Sequence, residues 1–215
     1  MFYFIKTPGW LKKVYRSRIW EIKTEEKKIY LSFDDGPHPE VTPFVLHELK
    51  RYNAKATFFC VGKNVVAYPE LYKRIIEEGH TVGNHTFHHL NGWKTKDDIY
   101  LDNIAMAKMY IDSNLFRPPY GKITSFQQLQ LGADKFKMKT IMWSVLSGDF
   151  DVSLSAEQCL QNVLLNTRQG DIVVFHDSEK ASKSILYALP KVLSYFTAQG
   201  YIFEKIVCND ARELV

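Results

Sequence analysis

The feature that most constrains this chain is a short alternating segment that ends in two adjacent carboxylates. Apolar and polar side chains alternate over residues 28–33, a period of two that predicts a β-strand. Asp34 and Asp35 follow directly, and Gly36-Pro37 then predicts a turn. Two neighbouring negative charges are unfavourable unless a cation lies close to them. We therefore expect a divalent metal at the end of this strand, with one carboxylate as its ligand and the other as a base.

Strand-like and helix-like segments alternate about seven times along the chain, without repeats, linkers or low-complexity tracts. This pattern predicts a single α/β domain with parallel strands. Strands are expected at residues 28–33, 56–61, 80–84, 115–117, 139–145, 171–175 and 201–203. Helices are expected at residues 39–52, 69–78, 95–113, 124–131, 155–166 and 184–199. The expected core positions of the 95–113 helix are Ile99, Ile104, Met106 and Met109, and Ser155 is the expected N-cap of the 155–166 helix.

Unusual polar side chains occur at the carboxyl ends of several predicted strands. In barrel-like α/β folds, catalytic residues lie on that rim. The residues in these positions are Asp34, Asp35, His85, Arg117, Asp149 and His176.

Two histidines four residues apart, His85 and His89, are candidate metal ligands. Residues with this spacing share one face of a helical turn. With Asp35 they would form a three-ligand site with an open position, the pattern of a catalytic zinc. His88 is left out of the ligand set because it points away from His89 on a helix. Taken alone, this spacing more often reflects coincidence or surface histidines than a metal site.

The segment from Arg117 to Gly121, Arg-Pro-Pro-Tyr-Gly, follows a predicted strand. Its two prolines leave few backbone amides, so the N–H of Tyr120 becomes a fixed donor. Such a donor can stabilise an oxyanion, and Arg117 can hold a carboxylate such as Asp34 in its ionised form. The alternative interpretation is a rigid turn without a chemical role.

His176 ends another predicted strand, where it can act as a general acid. Asp149 is able to raise the pKa of this imidazole by charge pairing. The alternatives are a structural cap for His176 and an ordinary turn aspartate for Asp149.

The overall composition is that of an ordinary globular protein. The chain has 215 residues, 46% hydrophobic and 24% charged, with a formal net charge of +4. Its basic residues are scattered, which argues against nucleic acid as a partner. No apolar run reaches the roughly 18 residues of a membrane-spanning helix. The three cysteines, Cys60, Cys159 and Cys208, are expected to be reduced, in the cytoplasm or in an exported protein.

Residues 1–27 form a separate region, predicted to be an aromatic and basic strap ahead of a catalytic domain at 28–215. Residues 1–20 contain five Lys or Arg, no acid and six aromatic residues, but lack the order of a signal peptide. The favoured interpretation is a strap packed across the barrel by its aromatic side chains. The alternative is peripheral contact with a membrane surface. The expected location is therefore cytoplasmic or peripheral to a membrane.

Together, the motifs resemble those of the polysaccharide deacetylase family, carbohydrate esterase family 4, with its NodB homology domain. The family's motifs are a Phe-Asp-Asp-Gly-Pro strand end, His-Ser/Thr-x-x-His, Arg-x-Pro-Tyr, Asp-x-x-Asp-Trp and Leu-x-His. The matching segments, in the same order, are Phe33–Pro37, His85–His89, Arg117–Tyr120, Leu146–Phe150 and Val174–His176. The resemblance covers about residues 28–206.

The resemblance implies a distorted (β/α)7 barrel and a metal-dependent hydrolase that removes N-acetyl groups from N-acetylglucosamine-containing glycans or glycolipids. It implies a divalent metal, zinc in most members, on Asp35, His85 and His89. It also implies a catalytic group with distinct roles: Asp34 as base, His176 as acid, Arg117 as a brace for Asp34, the Tyr120 N–H as oxyanion donor and Asp149 as the residue that tunes His176.

Three positions depart from the family's pattern. Leu146 replaces the first Asp of the fourth motif, Phe150 replaces its Trp, and Val174 replaces the Leu of the fifth. The last two changes keep an apolar wall, whereas Leu146 removes a carboxylate and is expected to affect substrate choice. Two other functions stay open: a non-catalytic glycan-binding barrel, and an amidase that cleaves a non-sugar C–N bond.

Overall fold

The computed structural model describes residues 3–207, and a curled parallel sheet forms its centre. The strands are β1 (Lys28–Asp34), β2 (Thr57–Cys60), β3 (Thr81–Asn84), β4 (Leu115–Phe116), β5 (Lys139–Thr140), β6 (Val145–Leu146), β7 (Ile172–His176) and β8 (Ile202–Phe203). The helices are α1 (Gly9–Val14), α2 (Val41–Arg51), α3 (Gly62–Ala67), α4 (Pro69–Glu77), α5 (Asp97–Lys108), α6 (Ser125–Gly132), α7 (Ala156–Asn166) and α8 (Ser182–Ala198).

Seven strands form the row β5-β4-β3-β2-β1-β7-β6, and β8 pairs with the start of β1. Neighbouring strands in this row are parallel. The predicted α/β class with parallel strands is therefore confirmed.

The strand register brings the carboxyl ends of five neighbouring strands to one level. Asp34 of β1 pairs with His176 of β7. On the other side, Asn84 of β3 pairs with Cys60 of β2 and with Phe116 of β4. The side chains that follow these pairs therefore meet at one rim of the sheet.

One large apolar cluster packs helices against the central strands of the sheet. The rings of Phe58 and Phe175 flank that of Phe33, with centroids 5.0 and 6.2 Å away. Leu46 of α2 and Leu189 of α8 are fully buried in the same cluster. Burial of side chains of this kind contributes about 1.5–3 kcal/mol each, so this cluster fixes the strand ends that carry the site.

The predicted strand at 139–145 is wrong, because β5 and β6 lie at opposite edges of the sheet. The residues between them cross the open side of the barrel. Arg117 Nε donates to the Ile141 carbonyl at 3.2 Å, and its Nη2 donates to the Met142 carbonyl at 2.9 Å. These carbonyls bind a side chain from the barrel interior, which leaves them unavailable to a continuous strand ladder.

The N-terminal region packs along the same crossing segment. The Thr7 N–H donates to the Ser144 carbonyl at 2.9 Å, and the Leu146 N–H donates to the Ile5 carbonyl at 2.8 Å. Further along, the Met142 N–H donates to the Ile19 carbonyl at 2.7 Å. The strap therefore satisfies backbone groups on the open side of the barrel. Residues 1–2 lie outside the described part, and the boundary at residue 27 stays a prediction.

Several helix limits differ from those expected. The helix predicted at 95–113 is the shorter α5, and α3 was not predicted. Of the four expected core positions in α5 and its C-terminal extension, only Ile104 is buried; Ile99, Met106 and Met109 are exposed. Ser155 does cap α7, in a reciprocal arrangement with Gln158.

Two of the cysteines, Cys60 and Cys159, are free thiols and buried, as expected, and Cys208 lies outside the described residues. Between residues 3 and 207, no helix is both long and apolar enough to cross a bilayer.

Candidate active site

The structure brings Asp35, His85 and His89 together at the rim, with one donor atom of each within 4.8 Å of the others. Asp35 Oδ1 lies 3.7 Å from His85 Nε2 and 3.1 Å from His89 Nε2. His85 Nδ1 lies 2.7 Å from the Arg117 carbonyl oxygen, which can only accept, so Nδ1 carries the proton. The lone pair of His85 is therefore on Nε2, the atom that faces Asp35. A hydrogen bond of this kind is typical of a metal-ligating histidine.

The chemistry of these three donors fits a bound divalent cation. Asp35 Oδ1 is buried, and within residues 3–207 no group reaches it in hydrogen-bonding geometry. Burial raises the pKa of Asp35, but the nearby imidazoles, His89 first, outweigh burial and hold the pKa below its usual range. Burial lowers the pKa of His85 to about 4, so this ring is neutral. An ionised carboxylate and a neutral imidazole are the protonation states that metal binding requires.

The predicted helical turn at 85–89 is wrong. Thr86 and His89 have positive φ angles of 61° and 58°, so the backbone reverses locally instead of following a helix. Asn103 of α5 holds this turn, because its Oδ1 accepts from the N–H groups of Phe87 and His88, both at 2.9 Å. The His88 ring contacts the same Asn103 at 2.8 Å. His88 therefore lies outside the three-ligand group, but for a different reason from the one expected.

Asp34 is held from inside the barrel by Arg117. The guanidinium is fully buried; its Nη1 donates to Asp34 Oδ1 at 2.7 Å and to Ser32 Oγ at 2.8 Å. The Phe59 ring lies 4.0 Å below the guanidinium carbon. Burial lowers the pKa of Arg117, and the charge of Asp34 opposes this effect. The pair therefore presents a carboxylate beside the three metal-binding donors in a fixed orientation.

His176 lies on the other side of Asp34, on the neighbouring strand. Asp149 Oδ1 lies 2.7 Å from His176 Nδ1, and Asp149 Oδ2 accepts from the His176 N–H at 2.6 Å. Burial lowers the pKa of His176, but the charge and hydrogen bond of Asp149 prevail and raise it to about 9. The ring is therefore protonated at neutral pH, the state of a general acid.

Tyr120 lies at the edge of the site. Its ring is 54% exposed and packs edge-on against His89, with centroids 4.7 Å apart. Its φ of 59° lies in the left-handed region, within a short turn held by the bond from Gly121 N–H to the Pro118 carbonyl. In the described part of the chain, the Tyr120 amide has no acceptor, so it is free to bind a ligand oxygen.

Sequence reasoning missed Asp177, the residue after His176. This carboxylate is fully buried and accepts from Gly36 N–H at 3.1 Å and from Thr42 Oγ1 at 2.5 Å. Burial raises the pKa of Asp177 to about 8. The contact ties the end of β7 to the loop that follows Asp35. Gly36, next to the paired carboxylates, was the only sequence signal for this contact. A glycine is favoured where another group packs close to the backbone, as Asp177 does here.

The apolar wall expected at Phe150 lies beside His176, but the strap residue that packs on it, Tyr3, was not identified from the sequence. The Phe150 ring lies 5.1 Å from the His176 ring, and the Tyr3 ring lies 5.3 Å from that of Phe150. The Tyr3 hydroxyl donates to Asp151 Oδ2 at 2.7 Å. The strap therefore reaches the active-site wall. The only sequence signal for this contact was the aromatic composition of residues 1–20.

Comparison with known proteins agrees with this geometry. The family model described as polysaccharide deacetylase matches residues 21–135. A peptidoglycan-N-acetylglucosamine deacetylase of Bacillus cereus is 36% identical over 190 residues, which cover 86% of this chain and 88% of the relative. A chitooligosaccharide deacetylase of Azorhizobium caulinodans is 32% identical over 163 residues, covering 73% and 76% of the two chains.

The fold matches solved structures as well. The crystal structure of a peptidoglycan N-acetylglucosamine deacetylase in complex with 4-naphthalen-1-yl-N-oxidanyl-benzamide aligns with a TM-score of 0.83 and 31% identity. The alignment covers 93% of this chain and 95% of that one. Metal dependence is a property of this family, and the Asp35, His85 and His89 group is the part of the chain that fits it. The chain therefore belongs to the polysaccharide deacetylase family, which confirms the (β/α)7 fold and the hydrolase class predicted from its motifs.

Proposed function

We propose that the protein removes N-acetyl groups from N-acetylglucosamine units of a glycan of the peptidoglycan type, releasing acetate. The main support for this function is the arrangement of the site. The three metal-binding donors lie beside the Asp34–Arg117 pair, and His176 with its Asp149 partner lies on the adjacent strand. The relatives named as peptidoglycan deacetylases support this choice of substrate.

We propose zinc as the metal, held by Asp35, His85 and His89. A carboxylate and two imidazoles form a protein donor set found at catalytic zinc sites, where water or substrate completes the coordination. A cation bound there supplies Lewis-acid chemistry, which activates water and polarises an amide carbonyl. The remaining steps fall to the side chains around it.

Asp34 is the proposed base. Arg117 donates to Asp34 Oδ1, which leaves the other oxygen to take a proton from the attacking water. Because the guanidinium is buried and makes four hydrogen bonds, Asp34 cannot rotate away without losing its partner. General base catalysis of this kind contributes about 10²–10⁴-fold.

His176 is the proposed acid. Its Nδ1 is bound to Asp149, so Nε2 is the atom that gives a proton to the leaving nitrogen. The free Tyr120 amide is proposed to donate to the oxyanion that develops on the acetyl carbonyl, a role worth about 3–4 kcal/mol in well-studied cases. Proton removal and proton delivery are thus assigned to groups on adjacent strands.

Two neighbouring substitutions test this assignment. Asp34→Asn is expected to keep the metal and lower kcat by about 10²–10⁴, whereas Asp35→Asn is expected to lower both metal content and kcat. Acetate release from peptidoglycan, chitooligosaccharides and an N-acetylated glycolipid is measured next to zinc content after dialysis. Absence of acetate from all three substrates, or equal behaviour of the two variants, contradicts the assignment. Ammonia as product would instead identify an amidase that acts on a non-sugar C–N bond.

We also propose that the strap contacts an anionic membrane surface, which makes the protein peripheral to that membrane. On α1, Trp10 and Val14 are 61% and 64% exposed and four residues apart, next to exposed Lys13 and Arg16. Residues 3–20 contain no acid. An apolar and basic face of this kind is typical of interfacial helices.

Co-sedimentation with vesicles tests this contact. Wild-type protein is expected to bind phosphatidylglycerol vesicles more strongly than phosphatidylcholine vesicles, and a Trp10→Ser/Val14→Ser variant is expected to stay in the supernatant. Leu165→Ser, at a position 67% exposed on α7, is the matched control. Equal sedimentation of the double variant and the control excludes the contact.

A further inference from the structure

Trp93 is a large exposed aromatic side chain on the loop between His89 and α5. It is 60% exposed, yet its indole is fixed, because Nε1 donates to the Ile123 carbonyl at 3.1 Å. Its backbone N–H donates to Asn91 Oδ1 at 3.0 Å. An exposed ring that is already immobilised loses little conformational entropy on binding a ligand.

The loop that carries Trp93 is clamped against the segment after Tyr120. The Gly92 N–H donates to the Lys122 carbonyl at 3.2 Å. A Cβ at Gly92 would lie 2.5 Å from that carbonyl oxygen and 2.6 Å from Gln127 Oε1. The two segments therefore touch through backbone, which fixes the position of Trp93 relative to Tyr120.

These contacts connect Trp93 to the metal-binding group. The Tyr120 ring packs on His89, and Lys122 is two residues further along the chain. Lys122 Nζ lies 4.0 Å from the centroid of the Trp93 ring. Consecutive Cα atoms are about 3.8 Å apart, so the Tyr120 residue that contacts His89 and the Lys122 residue that contacts Trp93 lie close together on one short segment.

We propose that Trp93, Lys122 and Tyr120 bind sugar units of the substrate beyond the unit that reacts, and that Lys122 favours glycan chains carrying carboxylates. This proposal rests on the proposed deacetylase function. The exposed part of an indole is an apolar surface against which the C–H groups of a pyranose can pack, as aromatic anchors do in other binding sites. Within residues 3–207, Lys122 makes no ion pair with a carboxylate, and its ammonium lies over the Trp93 ring, next to the position proposed for the sugar.

The proposed binding role of Trp93 is tested by measuring KM and kcat for oligomers of increasing length. Trp93→Ala is expected to raise KM about tenfold for long N-acetylglucosamine oligomers, with kcat unchanged and with little effect on the dimer. Trp93→Phe keeps a ring and is expected to restore most of the affinity. Leu129→Ala, at an exposed position on α6, is the control. An unchanged KM, or an equal rise for the shortest and longest oligomers, overturns the proposal.

The preference of Lys122 for charged glycans is tested by comparing KM values for charged and neutral substrates. Lys122→Gln is expected to raise KM for carboxylate-bearing peptidoglycan fragments and not for neutral oligomers of equal length, whereas Lys122→Arg retains the preference. An equal effect on both substrates overturns the role of Lys122.

Affinity electrophoresis in gels containing each glycan measures binding of the Trp93 variants without turnover. Reduced retardation of Trp93→Ala supports glycan binding by Trp93, even where no acetate is released. Unchanged retardation contradicts it.

Discussion

Asp149 receives two hydrogen bonds from His176, one from the backbone N–H at 2.6 Å and one from ring Nδ1 at 2.7 Å. The first bond fixes the aspartate against β7, and the second fixes the orientation and tautomer of the ring. Burial alone would lower the pKa of His176, but Asp149 raises it to about 9. A single side chain therefore sets both the geometry and the protonation of the proposed acid.

The first prediction concerns the pH dependence of this acid. The protonated form is needed, so kcat/KM is expected to fall as pH rises through the folded-state pKa of about 9. Asp149→Asn keeps a hydrogen-bonding oxygen but removes the charge, so the fall is expected at a lower pH. A pH–rate profile of both proteins measures the shift. An alkaline limb at the same pH in both would contradict the role of Asp149.

The same pair makes stability depend on pH. The pKa of His176 is raised from 6.5 to about 9 in the folded state. Its stabilising contribution is therefore complete below pH 6.5 and is lost as pH rises through about 9. Urea unfolding between these limits is expected to show this loss in the wild-type protein and a smaller loss in Asp149→Asn.

The second prediction concerns the buried ion pair. Arg117→Met removes the bonds to Asp34 and Ser32 and to the two carbonyls on the open side of the barrel. It leaves the Asp34 carboxylate buried without its cation, which costs about 3–5 kcal/mol in comparable cases. Urea unfolding measures the change in the free energy of unfolding. Lys28→Met, at a residue whose ion pair with Glu26 is on the surface, is the control and is expected to change it by less than about 1 kcal/mol.

The assembly of the site at one rim could be predicted because parallel strands align their carboxyl ends. Asp34, His85 and His176 each end or follow a predicted strand that the structure confirms as part of the parallel sheet. The periodicity of a strand is local, and so is the capping signal at Ser155, which the structure also confirms. These features are therefore readable from short stretches of sequence.

The features that sequence reasoning missed depend on partners distant in the chain. The 139–145 segment has a strand-like composition, but Arg117 takes two of its carbonyls, so it forms no continuous ladder. In α5, the buried positions include Tyr100, Ile104 and Ala107 instead of Ile99, and the Tyr100 ring packs on Phe116 of β4. The Arg117 contacts leave no trace in the local sequence of residues 139–145, whereas the buried positions of α5 do, because Tyr100, Ile104 and Ala107 have helical spacing.

The third prediction concerns the contact between Gly36 and Asp177. A Cβ at Gly36 would lie 2.1 Å from Asp177 Oδ2, so Gly36→Ala forces the carboxylate or the loop to move. Overpacking of this kind costs about 1–3 kcal/mol, and kcat is expected to fall because Gly36 directly follows Asp34 and Asp35. Gly132→Ala, where the added methyl meets nothing within 4 Å, is the control. Thermal unfolding and acetate release are measured for both, and a Gly36→Ala protein as stable and active as the control would show that the contact does not matter.

The last prediction assigns Tyr3 a positioning role that acts through Phe150. The two rings are in contact, and Phe150 in turn packs on His176. Tyr3→Ala and Phe150→Ala are each expected to lower kcat/KM, and the double variant is expected to be little worse than Phe150→Ala alone. Coupling between residues in contact is typically about 0.5–3 kcal/mol. Tyr3→Phe, which removes only the bond to Asp151, separates the ring from the hydroxyl and is expected to have the smaller effect. Strictly additive losses in kcat/KM would mean that Tyr3 only anchors the strap, since a residue that acts through Phe150 has nothing left to position once that ring is gone.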